Sequence, residues 1–208
     1  MTPSPSETPV TESEGAETVE ALSLEDLALA VAKAIGGEAN VAFGTAKIKV
    51  GAPDWISALT RARDEFGMVF FSWLSAIDWS NRVEVGDALT ETVEERFEVL
   101  AAVGDLSVGR LLIFSTDLDK DKPSIGSLVE VFPGANWHER EAHEMFGIDF
   151  VGHPHLVKLY LPDGFEGNPL RKSFPLLTRE VKPWPGKVDV EGMPGQADDE
   201  PSEENPEA

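Results

Sequence analysis

The sequence predicts an α+β fold: N-terminal helices packed on a small, mainly antiparallel sheet, followed by a helix and an extended irregular C-terminal arm. Three observations lead there. Helical apolar spacing dominates residues 23–66, strand-like apolar runs follow in residues 69–115, and periodicity ends after Gly147.

Ser23-Leu24-Glu25-Asp26 resembles a capping box, and LALAVAKAI behind it has helical spacing until Gly36-Gly37 stops it. Ala46 to Val50 (AKIKV) alternates weakly and reads as a strand. Pro53 then suits a first helical turn, and Trp55, Ile56, Leu59, Ala62 and Phe66 form the apolar stripe of a second helix ending at Gly67. Val69 to Asp78, Phe97 to Val103 and Arg110 to Ser115 are strands, expected to pair antiparallel, the last two joined by a loop of hairpin length. The polar segment between the first two is read as an exposed excursion. Ser127 to Phe132 has room for one helical turn or two before Pro133-Gly134, and Trp137 begins the last helix. From His153 to Trp184 the chain is rich in Pro, Gly and aromatic residues. Loops beyond about 12 to 15 residues without secondary structure are uncommon in compact domains. This one carries so many apolar side chains that it needs a surface to lie on, its own domain's or a partner's.

The formal charge of −21 disfavours nucleic acid and anionic lipid as partners. Seven acids and no Lys or Arg lie between Met1 and Asp26, and eight acids, again without a base, between Val188 and Ala208. Both stretches read as disordered acidic tails. Trp137 to Lys187, by contrast, is balanced, with seven acids and seven Lys or Arg. The expected organisation is a tail over 1–22, the α+β domain over 23–150, a partner-binding arm over 151–187 and a second tail over 188–208. With no cysteine the chain supplies no thiolate to an iron-sulfur cluster or structural zinc. The longest nearly apolar run, Met68 to Ile77, is shorter than the about 20 residues a bilayer requires, and the N-terminus lacks the marks of a signal or presequence. A prokaryotic cytoplasm is the expected compartment.

Chemistry concentrates in WHEREAHEMFGI, Trp137 to Ile148. A zincin helix places two His at i and i+4, about 40° apart. Here His138 and His143 are five residues apart, about 140° around a helix, so one helix cannot present both to one metal. His153 and His155 would have to complete a site across segments. Glu139, Glu141 and Glu144 are present without a nucleophile, a phosphate-cradling loop or a dinucleotide fingerprint, and no catalytic, cofactor or metal residue is assigned. On a helical wheel Trp137, Glu141, Met145 and Ile148 share one side, which sets Glu141 among apolar neighbours. The simplest partner scheme is an Arg140–Glu144 ion pair at i, i+4. The alternative is a charged cluster that fixes the arm, reaches Arg171-Lys172, or pairs across a subunit interface.

PGANWHEREAHEMFGIDFVGHPHL followed by LPDGFEGNPLRKSFPL closely resembles the signature region of the C-subunit family of NADH-quinone oxidoreductase, respiratory complex I. The upstream IDW (Ile77 to Trp79) and RFEV (Arg96 to Val99) strands look like that family too, so the resemblance covers roughly Pro53 to Gly186. Three positions depart from the pattern: Val157 with Lys158 one step later, Asn168 in place of a histidine, and Ser173 in place of an acid. The resemblance implies a scaffold without its own redox centre, packed against the D and B subunits of complex I and other peripheral-arm subunits on the cytoplasmic side of the cell membrane. FMN and iron-sulfur clusters would sit in those partners. It further implies that Glu139, Arg140, Glu141, Glu144, Gly147, His153 and Pro154 shape the structure. Glu139, Arg140, Glu141 and Glu144 are expected to anchor the arm and Gly147 to end the helix. Phe165, Glu166, Leu170, Arg171, Lys172, Phe174 and Pro175 are expected to meet the partner, with Arg171 and Lys172 pairing its carboxylates. Rival functions are a paralogous subunit of a membrane-bound hydrogenase or related quinone oxidoreductase, a free metal-dependent hydrolase using His138, His143, His153 and Glu144, and an acidic interaction module.

Overall fold

Ser23 begins the first helix as its sequence promises: the side chain accepts the N–H of Asp26 at 3.1 Å, and helix α1 runs Leu24–Ile35. Asp26 does not reach back to the Ser23 N–H. Its carboxylate accepts a hydrogen bond from the Ser23 hydroxyl instead, at 2.7 Å, so the box is closed side chain to side chain. The structure, a computed structural model, describes residues 22–83 and 89–175. The tails, the distal arm over 176–187 and the middle of the polar excursion, 84–88, lie outside the described residues.

Strands β1 (Glu38–Ala42), β2 (Thr45–Lys49), β3 (Phe70–Asp78), β4 (Phe97–Asp105) and β5 (Arg110–Leu118) form one sheet in the order β1-β2-β5-β4-β3. The pairs β3–β4 and β4–β5 are antiparallel, as expected, with a register irregularity between Phe71 and Trp73. Two features differ from expectation. Strand β1 is additional, and β2, read from the sequence only as a strand, joins the sheet parallel to β5. Glu38–Ala42 alternates only weakly between exposed and half-buried residues, so it carries little periodic signal, and its pairing with β2 through a two-residue turn defines it.

Helix α2 (Trp55–Phe66) follows a 3-10 turn containing Pro53 and buries Trp55, Ala58, Leu59 and Ala62. Ile56, expected in that stripe, lies outside it. Its side chain covers Gly126, where an added Cβ would fall 2.5 Å from Ile56 Cδ1. Gly126 ends β6 (Ser124–Gly126), a short strand parallel to β7 (Asp149–Val151) that sequence periodicity did not reveal at three residues each. Between them, the Val131 and Phe132 N–H groups both donate to the Leu128 carbonyl, one helical turn and no more.

Helix α1 packs on β1 and β2, and helix α3 (Ala135–Phe146) packs on β3. Alternate residues of β4, Phe97, Val99, Ala101 and Val103, enter the core with Leu112 and Phe114 of β5. Glu98, pointing the other way by strand alternation, is also buried. Its carboxylate accepts Lys47 Nζ at 2.5 Å and Trp79 Nε1 at 2.9 Å, while the Arg96 guanidinium lies 5.3 Å from the Trp79 ring. Trp79 of IDW and Glu98 of RFEV are thus one bonded unit.

Candidate functional site

The site is built on α3 and the irregular segment that returns over it. The buried residues of α3 are Ala135, Glu139, Ala142 and Phe146, at i, i+4, i+7 and i+11, together with Glu144 and Met145. This corrects the helical-wheel expectation: Trp137 faces solvent, 68% exposed, and Glu139, not Glu141, is the carboxylate among apolar neighbours. Met145 and Ile148, on the expected side, are buried, and Trp137 is the exception.

Glu139 also departs from the expected arm contact. Its Oε2 accepts the Ser127 hydroxyl and its Oε1 the Leu128 N–H, both at 2.6 Å, so it holds the turn before α3. Burial pushes its carboxyl up to about 7, against the opposing pull of those two donors. Phe132 in the same turn touches Phe71, whose ring also meets His138 edge-on.

The other three charged residues face the arm. Arg140 Nε and Nη2 donate to the carbonyls of Val157 at 3.0 Å and Lys158 at 2.8 Å. Glu144, buried, accepts the N–H groups of Leu159, Tyr160 and Leu161 at 3.1, 3.2 and 2.7 Å. Arg140 and Glu144 therefore bind different stretches of the arm instead of each other. Burial disfavours the charged Glu144, but these N–H groups and the nearby Lys158 outweigh it and hold the carboxyl below its usual range. Lys158 Nζ donates to the carbonyls of Pro162, Asp163 and Phe165 at 3.2, 3.1 and 2.8 Å. The loop 158–165 thus has an anion at one pole and an ammonium at the other. Glu141 accepts the Tyr160 hydroxyl at 2.8 Å.

The end of α3 is closed by the arm as well. The last carbonyls of an α-helix lack intrahelical donors. Here Asn168 Nδ2 donates to Glu144 O at 2.9 Å, Leu170 N to Met145 O at 3.1 Å and Arg171 Nε to Phe146 O at 2.5 Å. Gly147 takes the left-handed conformation, φ 72°, and its N–H returns to His143 O at 2.8 Å. A Cβ there would stand 2.5 Å from Arg171 Nη2 and 2.8 Å from Asn168 Oδ1.

Arg171 and Lys172, expected to meet a partner, both have acceptors within the chain. The Arg171 guanidinium, on the Phe146 carbonyl, also lies 5.2 Å from the centre of the Phe97 ring. The Lys172 N–H donates to Asp78 Oδ2 at 2.9 Å and its Nζ to Ser80 O at 3.0 Å. Both cations are engaged within the chain, Arg171 on a helix-end carbonyl and Lys172 on a carbonyl just past the end of β3, while the buried Asp78 carboxylate holds the Lys172 backbone. Phe165 stacks on Phe174 at 5.9 Å, both half-buried, while Glu166, Leu170, Pro154 and Pro175 are exposed.

The histidines are dispersed. His143 Nδ1 is 2.7 Å from Ile148 O. His153 accepts the His155 N–H through Nδ1 at 3.0 Å, leaving Nε2–H to donate to Asn136 O at 3.2 Å. Among the described residues no three His, Cys, Asp or Glu side chains group so as to hold a metal ion. Sequence reasoning missed Asp78, Lys158, Tyr160 and Asn168. Asp78 and Asn168 lie within the IDW and GFEGNP motifs, and only their partners were hidden.

A protein-family model described as "Respiratory-chain NADH dehydrogenase, 30 Kd subunit" matches residues 48–180, which take in the chain from the end of β2 through α3 and most of the arm. The chain belongs to that family. A relative in Methylobacterium radiotolerans, named as the C subunit of NADH-quinone oxidoreductase, is 37% identical over 138 residues, 65% of this chain and 59% of the relative. One of the same description in Xanthobacter autotrophicus is 34% identical over 158 residues, covering 74% of this chain and 70% of the relative. The chain thus spans from about three-fifths to 70% of the length of these relatives. Among solved structures, a trypsin-resistant fragment (1-134) of Nqo5 superposes with a TM-score of 0.52 at 20% identity, covering 64% of this chain and 100% of the fragment. A chain of a membrane-bound sulfane sulfur reductase, an archaeal respiratory membrane complex, gives 0.60 at 19% identity, covering 79% of this chain and 96% of that one. At that identity these two likenesses establish the family fold alone.

Proposed function

We propose that the chain is a non-catalytic scaffold subunit of a proton-translocating NADH-quinone oxidoreductase, docked on the module of the D and B subunits and on neighbouring peripheral-arm subunits at the cytoplasmic side of the membrane. The observation that carries this reading is the family match over residues 48–180, which includes every residue that fixes the arm to α3. FMN and the iron-sulfur clusters belong to partner subunits in this reading, consistent with a chain that has no cysteine. The mechanistic contribution is positional. Electron transfer to quinone depends on fixed distances between centres, and a subunit whose arm is tied to its own domain over residues 157–172 before docking keeps its partners in one geometry at less entropic cost. The arm over 151–187 is the docking element, with Phe165, Glu166, Leu170, Phe174 and Pro175 the residues offered outward.

A second reading is a paralogous subunit of another membrane reductase, favoured by the shared fold of the archaeal sulfane sulfur reductase chain. The test is a tagged pull-down from detergent-solubilised membranes, with mass spectrometry of the co-purifying chains and an assay of NADH-dependent quinone reduction. D- and B-like subunits with that activity support the first reading. The same subunits without NADH-dependent activity support the second, and a lone chain overturns both.

A further inference from the structure

Two adjacent residues of the arm are fastened to two different elements. Arg171 donates to the carbonyl of Phe146 at the end of α3. Lys172 spans the end of β3, with its N–H on Asp78 Oδ2 at 2.9 Å and its Nζ on the Ser80 carbonyl at 3.0 Å. The β3 side of this attachment is interior. Asp78 and Ser80 are buried, and Asp78 Oδ1 accepts the Ser80 N–H at 2.9 Å and the Ser80 hydroxyl at 2.5 Å. The arm side stays at the surface: Asp163, Glu166, Leu170, Ser173 and Pro175 are all exposed. Burial of apolar surface is what ordinarily offsets the entropy of ordering a chain. Here polar bonds order a segment whose apolar side chains the domain itself leaves partly uncovered.

We infer that Asp78 and Lys172 are the positioning pair for docking: their latch sets where the end of the arm stands before a partner subunit meets it. The reasons are geometric. One hydrogen bond leaves a chain free to pivot, whereas three bonds from neighbouring residues to two elements fix both place and direction. Phe174 and Pro175 inherit that placement. The Phe174 N–H returns to the Arg171 carbonyl at 2.9 Å, and the Phe174 ring stacks on Phe165. Lys172 therefore acts on docking through the outward residues beside it in the chain, and its own ammonium stays on the Ser80 carbonyl. A partner that binds only the arranged arm has an apparent affinity that falls with the fraction of chains so arranged. This inference rests on the proposed docking of the arm, and it names the residues that position the arm for it.

Lys172→Met keeps the aliphatic stem and removes the Nζ donor, and Lys172→Arg supplies a donor again. The chain has no cysteine, so Thr45→Cys in β2 and Ser173→Cys in the arm, both at exposed positions, carry a pair of spin labels without background. The distance between them is measured by pulsed electron resonance on the full chain. Co-purification of partner subunits is measured alongside, from solubilised membranes of a host lacking its own copy. Wild type and Lys172→Arg are expected to give one narrow distance and equal recovery. Lys172→Met is expected to broaden the distribution and lower recovery about threefold or more, while the amides of β4 and β5 keep their exchange protection. Lower recovery with a distance as narrow as in wild type would mean that Lys172 meets the partner itself, and overturns the latch. A broad distribution with full recovery overturns it too, because docking would then not depend on the position of the arm. In both cases the docking reading stands. Wild type that brings down no partner overturns that reading and the positioning role with it.

Discussion

The carboxylate of Glu144 on α3 accepts the N–H of Leu161 in the arm at 2.7 Å, and with Leu159 and Tyr160 it closes a three-donor nest around a buried anion. Hydrogen bonds to a charged group are each stronger than neutral ones, by a factor of about two. Replacing Glu144 with Ala leaves three N–H groups without this acceptor and should cost about 2–3 kcal/mol, whereas Glu144→Gln, which keeps one acceptor oxygen, should cost less. Amide hydrogen exchange at residues 159–161 is the readout. If those amides stay equally protected in Glu144→Ala, the nest does not hold the arm.

Acid should imitate that substitution. The Glu144 carboxyl is held below its usual range, so its stabilising contribution is present above about pH 4.5 and is lost as pH falls through the lower folded-state value. Protection of the amides of residues 159–161, taken relative to the intrinsic exchange rate at each pH, should therefore fall in acid in the wild type. In Glu144→Gln the corresponding step should be missing.

Glu139 runs the opposite way. Its folded carboxyl binds a proton up to about pH 7, against about 4.5 when unfolded, so the folded state holds more protons between those values. Stability should fall as pH rises from about 4.5 to 7, and the ionised group should cost on the order of 1–3 kcal/mol above that range. Gln at this position can still accept the Leu128 N–H and can donate to Ser127. Glu139→Gln should then be the more stable protein at pH 8 and equal to wild type near pH 4, as measured by urea denaturation at both pH values.

The sequence showed α1, α2 and α3 because their caps and apolar spacing are local: Ser23, Pro53 and the left-handed glycines at 36, 67 and 147 all act within one turn. Strands β3, β4 and β5 were legible for the same reason. The parallel β2–β5 pairing was not, since it joins residues far apart whose order no local pattern encodes. The charged cluster was visible as residue types, but its wiring was not. Glu139 and Glu144 are the same letter, yet one faces the 127–128 turn and the other faces residues 159–161. Arg171 and Lys172 looked available for a partner because nothing in PLRK reveals that the end of α3 and the end of β3 need donors there.

Phe43 makes a separate prediction. It occupies the two-residue turn between β1 and β2 at φ 52°, followed by Gly44 at φ 72°, and its side chain is fully exposed. Two positive φ values in succession define the hairpin turn that favours Asn-Gly, and a bulky residue in the left-handed region costs about 1 kcal/mol. Phe43→Asn should stabilise the domain by that order in chemical denaturation, with the slope of the transition unchanged.

The junction of α3 and the arm gives the last prediction, and it separates internal from interface roles for Arg171. If Arg171 served only a partner, its removal would leave the isolated domain unchanged. Its guanidinium instead supplies the donor for the last carbonyl of α3 and lies against Phe97, so Arg171→Ala should cost about 1–3 kcal/mol in the isolated chain. Gly147→Ala strikes the same junction from the helix side. It adds about 1 kcal/mol for a side chain at φ 72° and places a methyl group where Arg171 Nη2 and Asn168 Oδ1 now stand. Because both changes break one contact, the double variant should lose less than the sum of the singles. Strict additivity in urea melts would mean that Gly147 and Arg171 stabilise the domain independently, and that the arm is not the cap of α3.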